Sequence, residues 1–371
     1  MRQLATIRQI ATLRPIEGAD RIEVAQVDGW ECVVKKGEFQ VGEKIVYIEI
    51  DSIVPERPEF EFLRDRKFRV RTIKLKGQIS QGLVLALSIL PEGTSTEVGT
   101  DVTEVLGIKK YDPEAQQEAK LLASRPTKKK NFIERFFMRF AWYRKLFAKS
   151  RRKGEFPEWI AKTDETRIQN LPILFETERD NKTEFSVTEK VDGQSATYFL
   201  HKVSKRKYEF GVCSRNIRLT TPDESSYWTV AKQYNIESAL RTLRVVIGDG
   251  NSENIVLQGE ICGSQIQGNK YRINGYEFFA FNLIVDGKKY STADMQTLLE
   301  PLEIQTVPIL EEGKTLPETI SELVDYAKGN SVVRREQKRE GVVMRNSKRN
   351  VSFKVISPEF LLAEKDHGTE Q

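Results

Sequence analysis

The stretch Glu189-Lys190-Val191-Asp192-Gly193-Gln194-Ser195 follows an apolar-polar alternating run, as a strand running into a tight Asp-Gly turn would. A lysine two places before Asp-Gly is more often part of a solvated turn than a nucleophile, so the tetrapeptide is weak by itself. It has company downstream. Ser214-Arg215-Asn216 begins 24 residues after Lys190, and Gly259-Glu260-Ile261-Cys262-Gly263 places a carboxylate 70 residues after it. Phe279-Ala280-Phe281-Asn282 ends a strand candidate, and Glu340-Gly341-Val342-Val343 and Lys354 complete the series. Taken together, and in this order, the blocks are specific.

Around these blocks, residues 166–365 read as mixed strands and helices, with Ile255–Leu257, Phe278–Leu283, Val342–Met344 and Val351–Val355 as apolar strands. The region is therefore α+β with much strand. The whole chain has 371 residues, 39% apolar and 30% charged, and a net charge of +5. Two domains are the default reading at that length, each large enough to bury a core. No apolar run approaches the roughly 20 residues that cross a bilayer, and the first residues are too soon polar for a signal peptide, so a soluble, intracellular protein is expected. Cys32, Cys213 and Cys262 are odd in number and far apart, which argues against a disulfide framework and against zinc sites. With only His201 and His367 in the chain, a His-centred triad or His-rich metal site has little to work with. Chemistry here must use Lys, Arg, Asp and Glu.

Residues 1–112 read as short strands. Ile22, Val24 and Val27 lead into an Asp28-Gly29 turn followed by the alternation Trp30, Cys32, Val34, which predicts a hairpin. Val46, Ile48 and Ile50 predict another strand. From Lys67 to Leu87, Lys67, Arg69 and Arg71 alternate with Phe68 and Val70, giving one basic and one apolar face. The phase then shifts at Lys74 and Lys76, as a bulge near Thr72 would cause. Five or so short strands with Gly turns predict a small closed barrel of the OB type, with a basic face suited to nucleic acid or to solvent alone.

Residues 113–165 read as a basic helical connector. Between Arg125 and Lys153 stand twelve Lys or Arg against Glu134 alone, so this segment carries +11 and the rest of the chain −6. Seven aromatics lie between Phe132 and Phe147, with Phe132, Phe136, Phe137 and Phe140 at helical spacing. Packing on a neighbouring domain, attraction to phosphate backbones, and a membrane-surface or partner helix all fit this pattern. Residues 366–371 are a tail.

The ordered blocks from Lys190 to Lys354 resemble the covalent nucleotidyltransferase superfamily of ATP-dependent nucleic-acid ligases and RNA-capping enzymes. Ile266-Gln267-x-Asn269 after Glu260 is similar to the RNA ligases, and to the Deinococcus and Naegleria type in particular, in which an OB domain precedes the catalytic domain. The likeness covers residues 165–362 firmly, residues 1–110 loosely and the basic connector not at all. It implies a small N-terminal OB-type β-barrel followed by an α+β nucleotidyltransferase (ATP-grasp-like ligase) domain of antiparallel sheets flanked by helices.

The resemblance also implies roles. Lys190 is the nucleophile that takes AMP from ATP, and Glu189 helps to read adenine. Asp192 and Gly193 shape the loop at the nucleotide, and Arg215 holds the ribose or the leaving end. Phe281 stacks on the base, Lys354 contacts the α-phosphate, and Arg345 stands where the family often has a basic residue. Asp192, Glu260 and Glu340 are the expected carboxylates for Mg²⁺ or Mn²⁺, directly or through water. The implied substrate is RNA or an RNA/DNA duplex with a nick, sealed between 3′-OH and 5′-PO₄ ends; stable membrane association is not expected, although the segment 125–153 leaves it open, as the sequence does the oligomeric state.

Chemistry supports the residue types. A lysine attacks phosphorus only after losing its proton, so nearby cations such as a metal, Arg215 and Lys354, with partial desolvation, are expected to favour the neutral amine. One feature departs from the family: its last motif usually has two lysines one residue apart, whereas Ser352 and Ile356 flank Lys354 at that distance. A DNA ligase or capping guanylyltransferase shares the lysine chemistry, but only 17 residues follow Lys354, too few for the OB domain they commonly carry after it. An inactive nucleic-acid-binding protein with a degenerate fold is the other alternative. Blander readings also exist: Glu260 closing a strand, Arg215 on the surface, Phe281 in the core, and Cys213 and Cys262 as small space-fillers.

Overall fold

The computed structural model describes residues 3–112, 154–219, 225–248 and 250–363. The basic segment 125–153 and the tail 366–371 lie outside the described residues, as do the helix, phosphate and membrane readings of that segment.

The N-terminal part is built from β1 (Ala5–Gln9), β2 (Thr12–Ile16), β3 (Ala19–Val27), β4 (Trp30–Lys35), β5 (Lys44–Ile48), β6 (Ser52–Ile53), β7 (Arg69–Val70), β8 (Thr72–Leu75), β9 (Gln78–Gln81), β10 (Leu83–Ala86) and β11 (Lys109–Lys110). These pair as small antiparallel sheets, β1-β5-β10, β2-β3-β4, β11-β6-β7 and β8-β9. Alternation turns Ile7, Val46, Ile48 and Val70 into one apolar core, and Ala25, Trp30, Cys32, Ile45 and Tyr47 into another. The predicted hairpin is present: Val27 pairs with Trp30 across a two-residue turn, and Asp28 takes the left-handed conformation at φ 49°. The phase shift near Thr72 is not a bulge. The chain leaves the β6 pairing after Val70 and enters the β9 pairing at Thr72, so the register changes because the partner changes.

The C-terminal part crosses between two antiparallel sheets. The first has the order β19-β12-β20-β21, from β12 (Phe185–Lys190), β19 (Ile309–Lys314), β20 (Gly341–Asn346) and β21 (Val351–Ile356). The second has the order β15-β14-β13-β16-β17-β18, from β13 (Gln194–Ser204), β14 (Lys207–Cys213), β15 (Arg218–Leu219), β16 (Asn254–Gly263), β17 (Tyr276–Val285) and β18 (Lys288–Lys289). All four apolar strands predicted from sequence fall in β16, β17, β20 and β21. Helices α1 (Pro172–Asp180) and α5 (Ile320–Tyr326) cover the first sheet around Phe185, Val342 and Phe353. The second packs on α2 (Ser226–Gln233), α3 (Ile236–Gly248) and α4 (Thr292–Leu299) around Tyr198, Leu240, Leu257 and Phe278. Val191-Asp192-Gly193 is the whole connection from the first sheet to the second, so the stretch that opened the sequence reading is the hinge between the two layers.

Residues 154–165, read from sequence as the end of the connector, run as a strap over the other face of the six-stranded sheet. Ile160 packs there with Phe199, Cys213 and Val256, and the Gln258 side-chain amide donates to the Ala161 carbonyl at 2.9 Å. The barrel docks beside the strap's end. Trp30 Nε1 donates to Asn170 Oδ1 (2.8 Å), Asn170 Nδ2 donates to Glu49 (2.6 Å), and Asp51 pairs with Arg69 (2.6 Å) and Arg167 (3.2 Å). Gly29 is required at this seam, since a Cβ there would lie 2.9 Å from the Gln169 Cα. The C-terminal helix α6 (Pro358–Ala363) seals the joint, with Leu361 packed against the barrel core. The barrel is thereby fixed as one wall of the cleft between the two parts.

Candidate active site

That cleft has a volume of about 900 Å³. The catalytic sheets contribute Lys190, Asp192, Glu260, Phe281, Glu340 and Lys354 to its lining, and the barrel contributes Arg66, Lys67, Arg69, Arg71 and Lys110. The basic face read from the Lys67–Arg71 alternation therefore fronts the cleft, while Phe68 and Val70 are buried in the barrel core. Lys67 and Phe68 themselves are not in a strand; both adopt left-handed backbone, at φ 52° and 57°.

Lys190 ends β12, opposite Gly341 at the start of β20, and this register brings its Nζ to 2.6 Å from Glu340 Oε2. Burial disfavours the ammonium, but Glu340, Glu260 and Asp192 together outweigh burial and hold the Lys190 pKa well above the ordinary lysine range. Here the structure corrects the sequence reading: the groups that dominate the amine are carboxylates, not Arg215 and Lys354. Asp192, pressed by its own burial and by the Glu340 charge, is pushed up to about 6 despite the Lys270 ammonium at 2.7 Å. Glu260 accepts the Gly193 amide at 3.2 Å. A side chain on Gly193 would strike the Ile261 carbonyl, Cys262 Sγ and Glu260, so only glycine lets this hinge lie against β16. Cys262 is buried there, its thiol donating to the Asp192 carbonyl at 3.6 Å.

Lys354 lies on β21 and is half-buried. Burial first, then the Lys190 and Arg167 charges, lower its pKa to about 7. Arg167 brings a second positive charge beside it. It forms an isolated parallel bridge with Lys354 and is itself buried. Sequence reading missed it because its partner lies 187 residues away and no motif surrounds it.

Arg215 is turned to the strap. Its Nη2 lies 2.5 Å from both oxygens of Asp164, and this contact overcomes burial to bring Asp164 down to about 2. Phe281 is half-buried and lines the cleft while packing with Val191, Phe279 and Val307. Arg345 is buried beneath it, 6.0 Å from the ring centre, and pairs with Glu165 at 3.3 Å. Glu189 is buried; its Oε2 accepts the Val332 amide at 2.7 Å, its Oε1 has no hydrogen-bond partner, and burial raises its pKa. The residues given nucleophile, nucleotide or metal roles from sequence thus all line one cleft, together with Arg345. Among the described residues, no three acidic, His or Cys side chains converge closely enough to ligate one ion directly. Asp192, Glu260 and Glu340 surround the lysine amine instead, an arrangement suited to holding a hydrated cation.

The loop after β16 supplies two further residues. Asn269 brackets Ile273, donating to its carbonyl and accepting its amide, both at 3.0 Å, and Ile266 is buried in the main core. This framework presents Lys270 and Tyr271 to Asp192, the Tyr271 hydroxyl accepting the Asp192 amide at 2.9 Å. The signal was the Ile266-Gln267-x-Asn269 block itself, whose next two residues were not followed.

Comparison with known proteins matches these features. A family model described as an OB-fold domain covers residues 4–87, and one described as RNA ligase covers residues 183–356. Naegleria gruberi RNA ligase solved with PPi is 34% identical over 99% of this chain and 100% of its own, with a TM-score of 0.77. The chain belongs to the RNA ligase family. A variant of the Naegleria ligase solved with AMP and Mn is 33% identical over 98% of this chain and 100% of its own, at a TM-score of 0.78. Another variant, with ATP and Mn, is 33% identical over 97% and 98%, also at 0.78. No curated protein matches the chain. The RNA ligase fold expected from the ordered motifs, an OB barrel followed by an α+β domain of antiparallel sheets, is the fold observed. Among the described residues, no helix is long and apolar enough to cross a membrane.

Proposed function

We propose that this chain is an ATP-dependent RNA ligase that joins 3′-OH and 5′-PO₄ ends at a nick through a lysyl-AMP intermediate on Lys190. The observation that carries the reading is the Lys190 amine at the floor of a nucleotide-sized cleft, 2.6 Å from Glu340 and within the field of Asp192 and Glu260.

In the first step the Lys190 nitrogen bonds to the α-phosphorus of ATP, the bond from that phosphorus to the bridging oxygen breaks, and pyrophosphate leaves. Glu340 is placed to accept the proton that Nζ must lose. The surplus of carboxylates over cations around Asp192 and Glu340 fits a divalent cation such as Mg²⁺ or Mn²⁺, which Asp192, Glu260 and Glu340 would hold. When bound, that cation supplies the positive charge that makes the neutral amine affordable and screens the α-phosphate. Lys354 and Arg167 stand ready for phosphate oxygens, and Arg69 and Lys110 line the barrel side of the same cleft.

Phe281 offers a face for the base, and the unpaired Glu189 Oε1 is an acceptor for the exocyclic amine of adenine; guanine would present a carbonyl oxygen to it, which favours ATP over GTP. In the second step the 5′-phosphate oxygen takes AMP from Lys190. In the third the 3′-hydroxyl attacks the adenylated phosphate and releases AMP, closing the strand. The basic barrel wall and Arg215 support contact with the phosphates of a nicked duplex, so binding should weaken steeply with salt. In this reading residues 1–112 form the barrel wall and 166–365 the catalytic sheets, and residues 154–165, placed from sequence in the connector 113–165, serve the catalytic side.

The test is incubation with α-labelled ATP and Mn²⁺. Wild type should become covalently labelled and Lys190→Ala should not; an unlabelled wild type would refute the reading. Sealing of nicks ending in a 3′ ribose in preference to a 3′ deoxyribose separates RNA from DNA ligation.

A further inference from the structure

Lys270 is called for by no step of the reaction, yet it is held against the acidic floor with care. Its Nζ lies 2.7 Å from Asp192 Oδ2, and the same ammonium stands 4.2 Å from the centre of the Phe360 ring on α6. An exposed Lys-Asp pair needs no scaffold, since it contributes little. This one has three. Asn269 closes the loop on Ile273, Tyr271 binds the Asp192 backbone, and Gln265, Gln267, Asn269 and Arg272 all take left-handed backbone, at φ 66°, 45°, 48° and 52°, to bring Lys270 inward. Strained non-glycine backbone persists only where the surroundings enforce it.

The charges explain what the pairing does. Asp192, Glu260 and Glu340 face Lys190 and Lys270, so the floor carries one net negative charge with Lys270 and two without it. We propose that Lys270 is a positioning residue, a built-in counter-ion of Asp192 that keeps the carboxylate floor from taking up a divalent metal until the phosphates of a nucleotide bring further negative charge. Metal and nucleotide then enter together, and Lys190 keeps its Glu340 partner until they do. The inference rests on the ligase reading for its purpose, but its test needs neither ATP nor activity.

The measurement is Mn²⁺ binding to the nucleotide-free protein, read from the paramagnetic resonance signal of free Mn²⁺. Lys270→Gln keeps an amide donor towards Asp192 and removes the charge; Lys270→Met removes both; Lys270→Arg keeps the charge. Both neutral variants should bind Mn²⁺ roughly three-fold or more tightly than wild type, the effect of one unit charge near a divalent ion, and more so at low salt. Lys270→Arg should match wild type. A Lys270→Gln protein equal to wild type with a weakened Lys270→Met protein would show a purely structural role and overturn the proposal, as would unchanged or weaker binding in both. Should the neutral variants fail to fold, the wild type still decides: stoichiometric Mn²⁺ uptake at low micromolar concentration without nucleotide would overturn it, and weak uptake is expected. Failure of wild type to form lysyl-AMP would sink the ligase reading while leaving this result intact.

Discussion

Lys190 and Lys354 share one cleft and face opposite electrostatic worlds. Lys190 stands among Glu340, Glu260 and Asp192, which hold its proton tightly; Lys354, half-buried beside Lys190 and Arg167, is lowered by its desolvation and by those charges to about 7. By acidity alone, Lys354 is the readier nucleophile. The comparison teaches that the free protein holds the Lys190 amine in protonated form among carboxylates. On the ligase reading proposed above, the acidic floor would collect cation, the basic wall with Lys354 would collect phosphate, and the lysine between them would become reactive when both have come.

The largest effect that could break this contrast is on the floor. Glu340→Gln removes the closest partner of Lys190 and one of three carboxylates, and should slow lysine adenylylation by roughly 10²-fold or more in a single-turnover labelling assay. A variant within a few-fold of wild type would mean that the floor is not where the reaction happens.

The wall should show itself in pH. Because the Lys354 pKa is lowered, its charge is present below about 7 and lost as pH rises through that value. Bound phosphates favour the charged form, so nucleotide binding should take up a proton and weaken up to about ten-fold from about pH 6 to about pH 8. Calorimetry in buffers of different ionisation enthalpy would read the proton uptake, and Lys354→Met should abolish it. Asp164→Asn offers a milder probe of the same wall. Loosening the hold on Arg215 should leave adenylylation within a few-fold while making nicked-RNA binding tighter and more salt-dependent.

The smallest effects concern the seam that carries the wall. Gly29→Ala places a methyl against the Gln169 backbone and should cost about 1–3 kcal/mol of stability in denaturant unfolding. Trp30→Phe deletes the hydrogen bond to Asn170 and should cost about 1 kcal/mol.

Much of this was legible in the sequence because it is local. Alternation located β16, β17, β20 and β21, the Asp28-Gly29 hairpin was plain, and the order of the blocks from Lys190 to Lys354 named the floor residues. What was not legible depends on who meets whom. The phase change at Thr72 looks like a bulge until the pairing partners are known. Gly29 reads as a turn glycine, whereas its constraint comes from Gln169, 140 residues away. Asp164 sits in a stretch that reads as linker and Arg167 just beyond it, with no motif around either, and only the path of this segment over β21 and Arg215 gives them a place in the cleft. The protonated state of Lys190 was misjudged for the same reason. Sequence shows that acids and bases are present, but only the register of β12 with β20 says that Glu340 arrives first.

The most direct test is to map the adenylated residue. After reaction with ATP and Mn²⁺, peptide mass spectrometry should find AMP on Lys190 and leave Lys354 unmodified. AMP on Lys354, the less protonated of the two, would contradict the account at its root.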